Sequence, residues 1–231
     1  MKKIIAMAVV AVVAVSMVCA QITVGAKGTF GMNLGSQLAD NGFKTMFKDS
    51  KDAFMVNGGG SIYGRYNMPF LPALGVQLEF GLTANNGAGI KGEMGEMGEE
   101  MGNLKGGLQF SYLSLDIPLI VTYDIPVSSI VITPMVGVNF SIPVGKLKVK
   151  AEVDGTKVDM GMDDLKVTGF IPGIVAGVEV GIPVGPGSVT AGLSYVNDFT
   201  PVKGKMEGID EKADILTRRN FNISLGYALK L

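Results

Sequence analysis

Through LGVQLEFGLTA (residues 74–84) apolar residues return at every second position. Leu74, Val76, Leu78, Phe80, Leu82 and Ala84 alternate with Gly75, Gln77, Glu79, Gly81 and Thr83. FNISLGYALKL (221–231) repeats the pattern, with Phe221, Ile223, Leu225, Tyr227, Leu229 and Leu231 on one side and Asn222, Ser224, Gly226, Ala228 and Lys230 on the other. A period of two puts successive side chains on opposite faces of an extended chain. Applied along the sequence, the test predicts eight strands, at about 22–34, 60–68, 74–84, 112–123, 130–142, 170–182, 188–196 and 220–231.

The connections alternate between short and long. Pro69–Pro72, Asp124–Ser129 and Pro183–Gly187 are tight turns, whereas 35–59, 85–111, 143–169 and 197–219 are long loops. That alternation suits an up-and-down barrel with turns at one rim and loops at the other. No position on the apolar face of the eight strands is charged, although 18% of the chain is. The other face holds Lys27, Arg65, Glu79, Asp116, Glu179 and Lys230, three of each sign. A Lys or Arg facing lipid at mid-membrane costs roughly 2–4 kcal/mol, and hydrocarbon requires every backbone polar group to be paired within a closed sheet. The predicted fold is therefore all-β, an eight-stranded antiparallel transmembrane β-barrel, greasy outside, with the six charges paired as a network in its lumen.

Tracing the strands up and down sorts the outward aromatics by depth. Phe30, Phe140, Phe170, Tyr195 and Phe221 fall near the long-loop rim, and Tyr66, Tyr123 and Tyr227 near the other, with Phe70 in its turn. Two aromatic belts are expected. Phe110 and Tyr112 are out of phase with the apolar face from Leu113 onward, which predicts a bulge or a loop boundary there.

Composition narrows the function. Residues 1–20 read as a cleaved signal peptide, with Lys2 and Lys3, an apolar stretch from Ile4 to about Val15, and Val18-Cys19-Ala20 before the cut. A lipid on Cys19 is the other processing route, although Ser16-Met17-Val18 lacks the small residue that should precede it. Cleavage removes two positive charges, taking the formal charge from −1 to −3, and removes the only Cys. No basic stretch suits nucleic acid. With no His in the chain, the commonest general base and metal ligand is missing, so no catalytic, cofactor or metal site is expected.

YLSLDIPLIVTYDIP (Tyr112–Pro126), followed by ITPMVGVNFSIPVG (Ile132–Gly145), resembles the outer-membrane β-barrel domain family, the small PorT-like and OmpA/OmpX-like barrels. The resemblance implies a diderm envelope and insertion by the β-barrel assembly machinery, with Phe221, Ile223, Leu225, Tyr227, Leu229 and Leu231 as the assembly-signal strand. It also implies that the last strand pairs with the first.

The remaining motifs lie in the loops. Gly87–Gly92 spells GxGxxG but runs into GEMGEMGEEMG instead of a helix, so a dinucleotide site fails on context. That acidic repeat reads as a solvated loop, or as a weak divalent-cation binder through Glu93, Glu96, Glu99 and Glu100; Asp163-Asp164 reads as solvated loop. Phe43, Met46 and Phe47 are spaced for a short helix that, with Phe54 nearby, folds over the mouth. KLKVKAEVDGTKVDM (146–160) predicts strands five and six extending beyond the membrane around a turn at Asp154-Gly155, with an edge open to β-augmentation. Eight strands enclose an interior that side chains can fill. The expected function is a membrane anchor whose long surface loops serve adhesion, host or matrix ligand contact, or envelope structure; the alternative is a narrow channel or a porin for small solutes or hydrophobic compounds.

Overall fold

The computed structural model describes residues 22–33, 37–38, 47–94, 105–153, 156–159, 165–206 and 212–231. The expected signal peptide, the repeat from Gly95 to Gly102, the expected turn at Asp154-Gly155, Asp163-Asp164, Phe43 and Met46 lie outside them. Eight long strands form a ring: β1 (Ile22–Asn33), β2 (Met55–Met68), β3 (Leu71–Met94), β4 (Lys105–Tyr123), β5 (Ile130–Val153), β6 (Ile171–Val184), β7 (Gly187–Asp198) and β8 (Arg219–Lys230). Each pairs antiparallel with the next in chain order, and β8 closes on β1 from Thr23↔Lys230 to Asn33↔Asn220. The Leu231 N–H donates to the Ile22 carbonyl at 2.9 Å. Closure removes the sheet edge that an open β-sheet would expose.

The outward face follows the alternation. Ile62, Phe80, Leu82, Val136, Leu193, Ile223 and Leu225 are all exposed, while Gln77, Glu79, Thr122, Thr133, Asn139 and Glu179 point inward and are buried. A β-sheet that buries its polar face and exposes its apolar one is inverted relative to a soluble barrel.

Three strands run well past their predicted ends. β3 continues to Met94, β4 begins at Lys105 and β5 reaches Val153, so much of what reads as loop is ordered wall. Backbone hydrogen bonding drives this, because each added residue pair satisfies groups that a loop would leave to water. The extension starts at two irregularities. Between Thr83 and Asn86 the β3–β4 register shifts, with Asn85 at φ 57°. Opposite Ser111–Leu113, β5 accommodates two extra residues around Gly145 at φ 84°, a conformation that favours glycine. The bulge expected near Phe110 and Tyr112 thus falls on the neighbouring strand, and both aromatics point inward.

Beyond those shifts the faces exchange chemistry. On β5 the outward series Val136, Val138, Phe140, Ile142, Val144 gives way to exposed Lys146, Lys148 and Lys150, and the inward Thr133, Asn139 and Ser141 to buried Leu147 and Val149. On β3 and β4 the inward positions become Ala88, Ile90, Phe110 and Tyr112, all buried. They pack with Val167, Ile171, Val202, Ile215 and Leu216 into one apolar core. Several of these come from a layer of short strands, Leu165–Thr168, Val202–Met206, Lys212–Thr217 and Gln37–Leu38, paired side by side. The layer joins β5 edge to edge through Lys166↔Lys146, and its buried side chains share that core, an apolar roof at the long-connection end of the ring.

Two loop expectations are corrected. Phe47 starts a strand, Phe47–Ala53, that pairs with β3, so the helix expected there does not form at that residue. Phe54 is exposed on the outside and does not fold over the mouth. The 146–160 stretch is a hairpin as expected, with Val153↔Thr156 in register, but its return arm is the separate strand Thr156–Asp159 and not the start of β6.

Candidate functional site

The interior of the ring is where charged side chains converge, and strand alternation puts them there. In a ring of eight, strands four apart face each other across the lumen. Arg65 on β2 reaches Glu179 on β6, Nη2 to Oε1 at 3.1 Å, and also lies 3.4 Å from Asp124. Its Nε donates to Gln77 Oε1 at 2.7 Å, and Gln77 Nε2 donates to Glu79 Oε1 at 2.6 Å. Glu79 in turn accepts from Lys27 Nζ at 2.6 Å. One continuous chain of charge-assisted hydrogen bonds therefore spans the barrel on the turn side, with the Tyr63 ring beneath both Lys27 and Arg65, 5.5 and 5.9 Å from its centroid.

A second bar crosses nearer the long-connection end. Arg218, immediately before β8, forms a two-pronged pair with Asp198, Nε to Oδ2 and Nη2 to Oδ1 each at 3.0 Å. Its Nη1 meets Asp116 on β4, four strands from β8, at 2.9 Å. Thr83 and Ser114 hydroxyls also donate to Asp116, at 2.8 and 3.0 Å. Small residues make room for these bars. A Cβ at Gly25 would run into the Tyr63 ring, and one at Gly226 would meet Lys27 Cβ at 2.7 Å.

Between the bars lies a cavity of about 80 Å³, room for a few waters. One wall is polar, from Lys27, Glu79, Asp116, Arg218 and Asn220; the other is apolar, from Ile120, Met135, Val175 and Val196. Asn139 Nδ2 and Asn220 Oδ1, on residues that line it, are buried with no partner among the described residues. Above it Tyr112 sits in the apolar roof, where burial pushes its phenol well above the usual range. Among the described residues no cluster of three or more His, Cys, Asp or Glu is arranged to hold a metal ion.

Five of the six residues expected in the lumen, Lys27, Arg65, Glu79, Asp116 and Glu179, therefore lie in ion pairs inside the ring. Lys230 is exposed at the end of β8, apart from them. The charges are not balanced as expected: Lys27, Arg65 and Arg218 face Glu79, Glu179, Asp116, Asp124 and Asp198. Asp124, Asp198 and Arg218 fall in stretches read as connections. Each keeps the inward phase of its strand, so carrying that phase one step past the predicted end reaches all three. Of the outward aromatics, Phe30, Phe170, Tyr195, Tyr123 and Tyr227 are exposed and Phe140, Phe221 and Tyr66 half-buried. Phe140 stacks on Phe170 at 5.3 Å. Phe54 and Phe199, at the long-connection rim, are exposed too.

No family model matches the chain, and no curated protein matches it. Solved structures do. The outer membrane protein OprG from Pseudomonas aeruginosa is similar over 91% of this chain and 97% of its own, at 11% identity and a TM-score of 0.52. A major outer membrane protein from Thermus thermophilus covers 90% and 99%, at 12% and 0.46. Neisserial surface protein A covers 91% and 97%, at 14% and 0.42. With OprG the likeness is one of fold, an antiparallel ring of strands closed into a barrel.

Proposed function

We propose that the chain is an integral protein of a bacterial outer membrane whose barrel anchors a structured head at the cell surface, and that contact with a ligand through that head is its function. The outward apolar run on β4, Leu113–Tyr123, has the 9–11 residues a tilted strand needs to cross hydrocarbon. The β-barrel assembly machinery would insert it, with the alternating Phe221–Leu231 strand as its signal, and membrane lipid would cover the exterior.

The observation that favours an anchor over a channel is the pair of ion-paired bars joining opposite walls of the ring under an apolar roof. Each bar takes several charges out of water, which repays its desolvation only while all partners stay in place. An open aqueous pore would instead leave those charges hydrated. Planar-bilayer recording on the refolded chain tests this: no steady conductance is expected, and a steady ion current overturns the anchor. Protease added to intact cells should cut in the head region, and its failure to cut removes the head from the surface.

A further inference from the structure

The cavity between the two bars presents two kinds of wall. Ile120 on β4, Met135 on β5, Val175 on β6 and Val196 on β7 line it, so four consecutive strands each turn an apolar residue toward the lumen. Its charged lining is Lys27, Glu79, Asp116 and Arg218. These four are already matched, Lys27 with Glu79 at 2.6 Å and Arg218 with Asp116 at 2.9 Å, and two charges of each sign cancel. An ion entering the cavity would have to leave its water without gaining an uncompensated partner, which is costly.

Two neutral amides supply the polar groups that are left over. Asn139 and Asn220 line the cavity and are each 2% exposed, yet Asn139 Nδ2 and Asn220 Oδ1 have no hydrogen-bond partner among the described residues. Asn139 is in register with Pro118 on β4 and Gly173 on β6, neither of which has a polar side-chain atom to offer it. Asn220 is oriented by a relay that begins at the Asp116 carboxylate, which only accepts. The Ser114 hydroxyl donates to Asp116 at 3.0 Å, Asn86 Nδ2 donates to Ser114 Oγ, and Asn220 Nδ2 donates to Asn86 Oδ1 at 3.0 Å. The relay ends on the Asn220 carbonyl, an acceptor with nothing to accept from. Buried polar atoms without partners are costly, so a molecule that meets both gains at both.

One spare donor and one spare acceptor beside an apolar wall fit a small uncharged molecule with a donor–acceptor head and a short hydrocarbon end. We propose that the cavity is a binding site for a short primary amide. Its carbonyl accepts from Asn139 Nδ2, its N–H donates to Asn220 Oδ1, and its alkyl end lies on Met135 and Val175. Since a cavity of about 150 Å³ holds benzene, the smaller space here suits a molecule of roughly three to five heavy atoms. Water could meet both amides, but an alkyl group also covers the apolar wall. The site goes beyond the surface role proposed above and depends on the closed ring alone.

The test uses the mature chain refolded in dodecyl maltoside with carbon-13 labelled methionine methyl groups, its folding checked by the heat-dependent shift of the band on a gel. The Met135 methyl resonance, assigned by its loss in Met135→Leu, is followed as acetamide is added. A saturable shift is expected. Acetate, of the same size but charged, and pivalamide, too large for the cavity, should give none. Asn139→Leu, which removes the donor at similar volume, should bind acetamide about tenfold more weakly. Thr122→Val, which removes an unpartnered buried hydroxyl outside the cavity lining, should bind it as the wild type does. A wild-type shift that never saturates, an equal response to acetate, or unchanged affinity in folded Asn139→Leu overturns the site. The comparison of acetamide with acetate is made on the wild type, so it decides the matter even where the variant does not fold.

Discussion

The lower and upper halves of β3, β4 and β5 are the same strands in two opposite solvents. Below the irregularities at Asn85 and Gly145, Val136, Leu119 and Phe80 face outward and Glu79, Asp116 and Thr133 inward; above them, Lys146, Lys148 and Lys91 face outward and Ile90, Phe110, Leu147 and Val149 inward. Alternation continues through both halves. Alternation therefore specifies a strand, and the solvent outside decides which face is buried. Hydrocarbon around the lower half drives charges into the lumen, where they must pair. Water around the upper half drives apolar side chains inward, as in any soluble domain. The crossover along one strand marks the height at which the surroundings change.

The largest expected effect comes where the halves meet. Arg218→Ala leaves Asp116 and Asp198 buried without their cation, which should cost about 3–5 kcal/mol, read as a lower urea midpoint for the heat-shifted band in lipid vesicles. A midpoint within error of the wild type would mean that the upper bar holds nothing together. Next, Leu216→Ala opens space in the head core, where Leu216 is 0% exposed, at about 2–5 kcal/mol. That loss should stay local, with faster trypsin cleavage within the head and an unchanged barrel band; equal weakening of both would show that they unfold as one unit. In the lower half, Leu225→Arg puts a cation on a side chain 65% exposed to the surroundings and should cost about 2–4 kcal/mol in vesicles. Little change there would place water, not lipid, against β8. The smallest effect is the reverse exchange in the upper half. Lys148→Leu should shift stability by less than about 0.5 kcal/mol, as for an ordinary surface site. A marked gain in stability from it would move the apolar band up β5.

Much of this was legible in the alternation. The outward faces around Phe80, Val136 and Leu225 follow from single residues repeating at intervals of two, and so does the inward placement of Lys27, Arg65, Glu79, Asp116 and Glu179. The head was not legible in the same way. Its core joins Ile90, Phe110 and Leu147 to Val202 and Leu216, residues far apart in the chain and lying in stretches rich in Gly, Lys and Asp. Phe110 and Tyr112 carried a hint, as aromatics on the face that is polar lower down, but a hint of inward packing needs a partner to pack against.

The sequence by itself determined the strands, their turns and the sorting of oil from charge, because those depend only on neighbours two residues away. The tertiary structure alone decided which charges meet across the ring. Arg65 finds Glu179, and Arg218 finds Asp116, only because closure sets strands four apart face to face. It also decided that connections read as loops build a roof, since paired strands and a shared apolar core stabilise a segment that its local composition would leave in water.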